Sequence, residues 1–67
     1  MEIGSTYEYN TADRKQFILE VLSFDDEDVT FKANVKDDNR KSFKIDVTIE
    51  NLNSFIKRNN IRLIDKP

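Results

Sequence analysis

The 67-residue sequence contains no cysteine, no histidine and no tryptophan, and it has one glycine and one proline. Without cysteine or histidine, the chain cannot form a disulfide, a thiolate nucleophile, a zinc site with the usual ligands or a histidine-based catalytic triad. It also lacks an apolar run of the roughly 18 residues that mark a membrane-spanning helix, and its first residues do not have the pattern of a signal peptide. We therefore expect one small cytoplasmic domain over residues 1–67, with no metal, no cofactor and no membrane contact.

The charge is nearly balanced overall but is divided unevenly along the chain. Thirteen acidic and eleven basic residues give a formal net charge of −2. Residues 1–28 contain eight acidic and two basic residues, a net −6, whereas residues 29–67 contain five acidic and nine basic ones, a net +4. A total this close to zero does not by itself indicate a nucleic-acid partner, but the basic part could follow a phosphate backbone.

Two segments before residue 25 have the composition of β-strands. Residues 7–9 alternate aromatic and charged side chains, which predicts a short first strand, and residues 10–14 favour a turn. Residues 17–24 are apolar on both faces: one face has Phe17, Leu19 and Val21, and the other has Ile18, Leu22 and Phe24. A helix would also fit the spacing of three of these residues. The aromatic and branched content favours a strand that is central or strongly bent.

The clearest pattern is an antiparallel β-hairpin over residues 29–49. Its apolar residues alternate with polar ones on both sides of a charged loop at residues 37–41: Val29, Phe31, Ala33, Val35, Phe43, Ile45, Val47 and Ile49. Both apolar sets must face the core, so paired positions must sum to an even number. A three-residue loop with Asn39 in a left-handed conformation would oppose Lys32 to Lys44. A wider loop would oppose Lys32 to Asp46, and because opposite charges attract across strands, we predict this second register.

After residue 49 the spacing becomes helical. Apolar residues stand three and four positions apart, with an acidic residue early and two basic residues late: Leu52, Phe55, Ile56, Glu50, Lys57 and Arg58. This placement of charge suits the helix dipole, and Asn59 or Asn60 can end the helix in a left-handed conformation. The pattern predicts about two helical turns that pack on the sheet, and then a short last strand over residues 61–64.

The order of these elements resembles that of the SH3-like small β-barrel. The resemblance covers about residues 3–65 and is carried by residues 4–9, the bent strand, the hairpin, the helical turn at 51–58 and residues 61–64. The helical turn is longer and the 10–14 loop shorter than in SH3 domains, and the tryptophan of their peptide groove is absent. The resemblance implies a mostly β fold, a five-stranded antiparallel barrel with a short helix before the last strand, and it transfers no function. An OB-fold fits less well, because its helix usually falls between strands three and four.

The acidic run at residues 25–28 does not predict a metal site. Calcium loops alternate their ligands and use a glycine at the turn, which this run lacks, so a solvated loop is the better interpretation. Paired carboxylates for acid–base catalysis would need a desolvated pocket, which a chain of this size rarely encloses. We therefore expect no enzymatic activity and no catalytic residue.

The charged hairpin supplies the candidate binding residues. The partner-binding candidates are Lys32, Lys36, Asp37, Asp38, Arg40, Lys41 and Lys44, with Tyr7, Tyr9, Arg58 and Arg62 as additional contacts. The two tyrosines are favoured as core residues, and the contact role requires that one of them lies at a rim with its hydroxyl in water. Lysines on the outer side of a sheet are also the usual way to keep it soluble, so a purely solvated face is the alternative. The five phenylalanines and the apolar side of the helix are expected to lie in the core.

These features predict a non-catalytic protein-binding module. Its small size, and the AT-rich codon bias indicated by seven residues each of Asn, Ile and Lys, favour a phage- or mobile-element-encoded inhibitor or modulator of a host protein. The alternative is a nucleic-acid-binding or transcription-associated barrel that uses the basic outer face of the hairpin, with Arg58 and Arg62. Unpaired strand edges would also allow two copies to associate, so we expect a monomer or a homodimer.

Overall fold

The computed structural model describes residues 1–38 and 40–67. Its elements are β1 (Thr6–Asn10), β2 (Gln16–Phe24), β3 (Asp28–Val35), β4 (Phe43–Thr48), α1 (Ile49–Lys57) and β5 (Ile61–Asp65). The strands form one antiparallel sheet with the order β4-β3-β2-β1-β5. The predicted mostly β fold, with five antiparallel strands and a short helix before the last one, is confirmed. Within the described residues β4 and β5 do not pair with each other, so the sheet is not closed.

The alternation of side chains divides the sheet into two faces. Odd-numbered residues of β1, β3 and β4, and of β2 as far as Val21, point toward the core and form what we call the inner face; the even-numbered ones form the outer face. The buried cluster consists of Tyr7, Leu19, Val21, Val29, Phe31, Ala33, Leu52 and Ile61. Leu52 belongs to α1, and the helix also contacts both edge strands, so α1 lies over the inner face.

β2 is bent by a β-bulge. Its pairing with β3 is regular as far as Val21 and then shifts by one residue, which leaves Leu22 without an opposing residue on β3 and puts Phe24 opposite Val29. Since directly opposed side chains share a face, Phe24 belongs to the inner face with Val29. The prediction of a strand that is central or strongly bent is confirmed by the position of β2 in the middle of the sheet order. The assignment of Phe24 to the face opposite Val21 is wrong, because the bulge changes the alternation.

The β3–β4 hairpin has the register that charge alone disfavours. Lys32 lies directly opposite Lys44, so the predicted pairing of Lys32 with Asp46 is wrong. Asp46 lies opposite Thr30 instead, and the Thr30 hydroxyl donates a hydrogen bond of 2.7 Å to the Asp46 carboxylate. Lys44 is exposed on an edge strand, where water and salt screen its repulsion from Lys32. The hydrogen bond and the packing of the inner face therefore outweigh the like-charge pair.

The loop between β3 and β4 spans residues 36–42. Asp37 adopts a left-handed conformation with φ of 66°, and the Asp38 backbone N–H donates to the Val35 carbonyl at 3.0 Å. The left-handed position predicted for Asn39 in the narrower loop lies outside the described residues. The sequence predicts the Lys32–Lys44 register for a three-residue loop and the Lys32–Asp46 register for a wider one. The structure combines the Lys32–Lys44 register with strands that end at Val35 and begin again at Phe43.

α1 has a cap at each end. The Thr48 hydroxyl accepts the Asn51 backbone N–H at 3.1 Å, and Asn59 ends the helix with φ of 63°, as predicted. Leu52 is buried, but Ile56 is 39% exposed, so the prediction that the whole apolar side of the helix lies in the core is wrong for Ile56. No helix in the described ranges has the length and apolarity that crossing a membrane requires.

The acidic run forms the turn between β2 and β3. The Asp25 carboxylate accepts the backbone N–H groups of Asp28 and Glu27 at 2.9 and 2.8 Å, and these bonds hold the pKa of Asp25 below its ordinary value. β3 begins at Asp28, so the loop is one residue shorter than predicted. In the part of the chain that the structure describes, no three acidic side chains are grouped as a metal site would require.

Candidate functional site

The hairpin loop is organised by a contact between two of the candidate residues. The Asp38 carboxylate accepts the Arg40 guanidinium at 3.1 and 3.3 Å and also the Arg40 backbone N–H at 3.1 Å. The Arg40 side chain, with its backbone N–H, lowers the pKa of Asp38 below its ordinary value. These two charges largely neutralise each other, while Asp37 and Lys41 beside them are exposed and form no ion pair with any described residue.

Lys32 and Lys44 lie side by side on the outer face. Lys32 is flanked by Glu20 on β2 and by Lys44 on β4, which gives the row Glu20, Lys32, Lys44 across three strands. Like charges that stand directly opposite on a sheet repel each other. Lys44 has an ion pair with none of the described residues, so the positive charge at this edge is not neutralised within the chain.

Lys36 and Arg62 meet at the carboxylate of Glu8, which is not among the sequence-based candidates. The Glu8 side chain is on the outer face but only 9% exposed, and it lies 3.5 Å from Lys36 Nζ and 3.3 Å from the Arg62 guanidinium. Burial acts to raise the pKa of Glu8, but the hydrogen bond from Asn10 and the positive charges of Lys36 and Arg62 outweigh it and hold the pKa below its ordinary value. Lys36 and Arg62 thus have a structural partner of their own.

The two tyrosines named as additional contacts occupy different environments. Tyr7 is 8% exposed, and its ring packs edge-on against Phe31 with the centroids 5.9 Å apart. Its ring is therefore part of the core, in agreement with the core interpretation of the two tyrosines. Tyr9 is half-buried at the margin of the same face, with its ring 6.1 Å from that of Phe17 and 5.8 Å from that of Phe55.

An apolar cleft opens on the inner face beside the hairpin loop. We call this site the apolar cleft. Its volume is about 240 Å³, and its lining residues are Tyr9, Phe17, Leu19, Ala33, Phe43 and Ile45. The Phe17 and Phe43 rings stand edge to face, with their centroids 6.4 Å apart. Ala33 lies opposite Phe43 on the neighbouring strand, and its small side chain leaves the space of the cleft open. Neighbouring Val35 is exposed as well. This site is absent from the sequence-based candidates except for Tyr9.

The prediction that all five phenylalanines lie in the core is wrong for two of them. Phe43 is 49% exposed and Phe24 is 42% exposed, although both belong to the inner face. Phe43 stands on edge strand β4, and Phe24 stands after the bulge at the end of β2. For Phe43, alternation identifies the face correctly but not the depth, so only its position beside a charged loop could have marked it as a candidate.

A positive charge stands close to the cleft. The Arg58 guanidinium lies 5.8 Å from the centre of the Phe55 ring, a distance at which a cation is attracted to an aromatic face. Phe55 in turn contacts the Tyr9 ring that lines the cleft. Arg58 is exposed and is thus the additional contact residue whose placement agrees best with a binding role.

The chain has no match among models of protein families, among curated proteins or among solved structures.

Proposed function

We propose that this protein is a non-catalytic, cytoplasmic protein-binding module, of the kind that a phage or mobile element encodes to inhibit or modulate a host protein. The observation that carries this function is the apolar cleft, which opens to solvent beside the charged hairpin loop. Phe43 joins the two, because it lines the cleft and directly follows the loop in the chain. The observed order of elements agrees with the SH3-like order, which supports this resemblance and leaves the partner to be inferred from the surface.

The composition of this surface suits a protein partner. Protein interfaces combine an apolar, often aromatic centre with a polar and charged margin. Here the cleft provides the centre, and Arg58 and the loop residues Arg40 and Lys41 provide the margin. Aromatic side chains in such pockets contribute a large share of binding free energy, so Phe43 is the residue expected to matter most.

The partner's chemistry can be inferred from the charges that lack a counterpart. Of the seven hairpin candidates, Lys32, Asp37, Lys41 and Lys44 form no ion pair with a described residue. Three of these four are cations. A complementary partner would insert one large apolar side chain into the cleft and place a carboxylate against Lys41, which belongs to the loop beside the cleft.

Nucleic-acid binding is the second candidate function, and the unneutralised Lys32–Lys44 pair on the outer face favours it. The same face also carries Glu8, Glu20 and Asp46, which would repel a phosphate backbone. The outer face is therefore mixed in sign, and a protein partner suits it better.

Affinity capture with matched variants tests the protein-binding function. The immobilised chain is exposed to lysates of AT-rich bacteria as wild type, as Phe43→Ser and as Phe24→Ser. Both substitutions remove a half-exposed phenylalanine from the inner face, but only Phe43 lines the cleft. A true partner should be retained by wild type and by Phe24→Ser and should be depleted at least about tenfold by Phe43→Ser.

The two functions give opposite results in a second assay. Nucleic-acid binding should be visible in a gel-shift experiment at about 50 mM salt, should weaken steeply toward about 200 mM, and should disappear with Lys32→Glu combined with Lys44→Glu. Such binding, together with capture that Phe43→Ser leaves unchanged, would replace the protein-binding function by the second candidate.

A further inference from the structure

β4 is an exposed edge of the sheet. Its six residues, Phe43–Thr48, pair with β3 on one side and with no strand of the described chain on the other. An edge strand presents a row of unpaired backbone N–H and C=O groups to any strand that can align with it. We propose that a second copy of this chain binds there, forming an antiparallel β4–β4 pair in which the two Ile45 residues lie opposite each other. This association needs no other protein and does not rest on the proposed function.

The sequence of β4 matches itself in this one register. With Ile45 opposite the partner's Ile45, Lys44 lies opposite the partner's Asp46, and Phe43 lies opposite the partner's Val47. The two-fold symmetry repeats both pairs, so the dimer gains two cross-strand pairs of opposite charge and one continuous apolar face.

The neighbouring registers are all unfavourable. Centring the pair on Lys44 would oppose two lysines, and centring it on Asp46 would oppose two aspartates. Any register in which paired positions sum to an odd number would set the apolar residues of one copy against the charged residues of the other. The charges of the strand therefore favour the Ile45-centred alignment over its neighbours, and this alignment alone gives two pairs of opposite charge.

The charges within the chain also favour a partner at this position. The outer-face row runs Glu20, Lys32, Lys44 and ends at the open edge with two like charges side by side. A carboxylate next to Lys44 would balance the second positive charge of this row, and the partner's Asp46 supplies it. Asp46 is held toward the outer face by the hydrogen bond from Thr30 at 2.7 Å.

The other edge of the sheet does not have this property. In β5 (Ile61–Asp65), pairing around Leu63 would oppose Arg62 to the partner's Ile64 and Ile61 to the partner's Asp65. Arg62 is also paired with Glu8 at 3.3 Å. Self-association through β5 would thus mix apolar and charged residues, which makes this edge the natural control.

A single pair of short strands buries less surface than the roughly 1,200–2,000 Å² of a stable interface, so the dimer should be weak. The test is sedimentation equilibrium of the purified chain from about 10 µM to about 1 mM, where a dimer with a dissociation constant in this range is measurable. Wild type should approach twice the 7.9 kDa monomer mass as concentration rises. Lys44→Asp and Asp46→Lys each create two like-charge pairs across the axis and should each weaken the dimer at least about tenfold.

Mixing the two variants gives the decisive result. In a mixed dimer the aspartate introduced at position 44 of one copy would face the lysine introduced at position 46 of the other. The second cross-strand pair would join the unchanged Asp46 of the first copy to the unchanged Lys44 of the second, so a 1:1 mixture should associate although neither variant does so alone. Lys66→Asp, an exposed change of equal charge beyond β5, should leave association unchanged. Circular dichroism verifies that each variant is folded, which matters because Asp46→Lys removes the Thr30 hydrogen bond.

Several outcomes would overturn the β4–β4 dimer. Wild type that stays monomeric at about 1 mM would exclude it. A dimer that both single variants leave intact would use another surface, and assemblies that grow beyond two copies would show an open, head-to-tail contact instead. None of these results would affect the capture experiment with Phe43→Ser, so the two ideas fail separately.

Discussion

The inner face contains two regions that the sequence pattern does not distinguish. Phe31 is fully buried and packs in the cluster that includes Leu52 of α1, which is 1% exposed. Phe43 and Val35 line or adjoin the apolar cleft and are about half exposed, although they alternate with polar residues in the same way as Phe31. A helix of nine residues is thus long enough to cover part of the inner face and leaves the β4 margin accessible. Which side a residue faces is set by its own strand, whereas its depth is set by what packs above it.

The largest expected effect on the free energy of unfolding comes from making the same substitution, phenylalanine to alanine, in each of the two regions. Phe31→Ala should lower the free energy of unfolding by about 3–5 kcal/mol, because it leaves a cavity in the buried cluster. Phe43→Ala should lower it by about 1 kcal/mol or less, since half of that side chain is already in water. Urea unfolding followed by circular dichroism measures both. Equal losses would mean that the cleft is closed in solution and that the two regions are one core.

A smaller effect concerns the cap that holds α1 over the covered region. Thr48→Ala removes the hydroxyl that accepts the Asn51 N–H, and it should cost about 1 kcal/mol of unfolding free energy. Thr48→Ser keeps an oxygen at this position and should recover most of the loss. The same urea titration compares the three chains, and an alanine variant as stable as the serine variant would show that the cap does not stabilise the helix.

The smallest expected effect lies on the outer face, where Glu8 is the one buried carboxylate among the described residues. Because its pKa in the folded chain is below the ordinary value of 4.5, the folded state binds a proton less readily than the unfolded state does. Its contribution to stability is therefore present above pH 4.5 and is lost as the pH falls through the lowered pKa.

Glu8→Gln should accordingly reduce stability at pH 7 and flatten its decline on acidification, measured by urea unfolding between about pH 7 and about pH 2. Glu2→Gln, on an exposed residue with no ion pair to the described chain, is the control and should follow wild type. If Glu8→Gln retained the full acid sensitivity of wild type, the contacts with Lys36 and Arg62 would not be stabilising.

Much of the fold follows from local pattern. Alternation locates β3 and β4, helical spacing locates α1, and Asn59 is recognisable as its left-handed end because asparagine tolerates that conformation. These features depend on residues close together in the chain. The mostly β class and the order of elements could therefore be predicted without any knowledge of the packing.

The register and the site could not be predicted in this way. The Lys32–Lys44 pair is disfavoured when charge is weighed without the Thr30–Asp46 hydrogen bond and without the exposure of an edge strand. The pattern leaves Tyr7 either in the core or at a rim and predicts Phe43 as a core residue, whereas Tyr7 is buried and Phe43 is half exposed. Both questions concern depth, which depends on where a distant helix lies.

A β-bulge bends and twists the strand that contains it, and the bulge at Leu22 places this effect in the central strand of the sheet. Removing that one residue would restore strict alternation along β2 and leave Val21 and Phe24 on the side they now occupy. Amphipathicity would survive such a deletion, but the strand would straighten and the curl of the sheet would diminish. Curvature in this protein is thus encoded by a residue count, not by the chemical identity of any side chain.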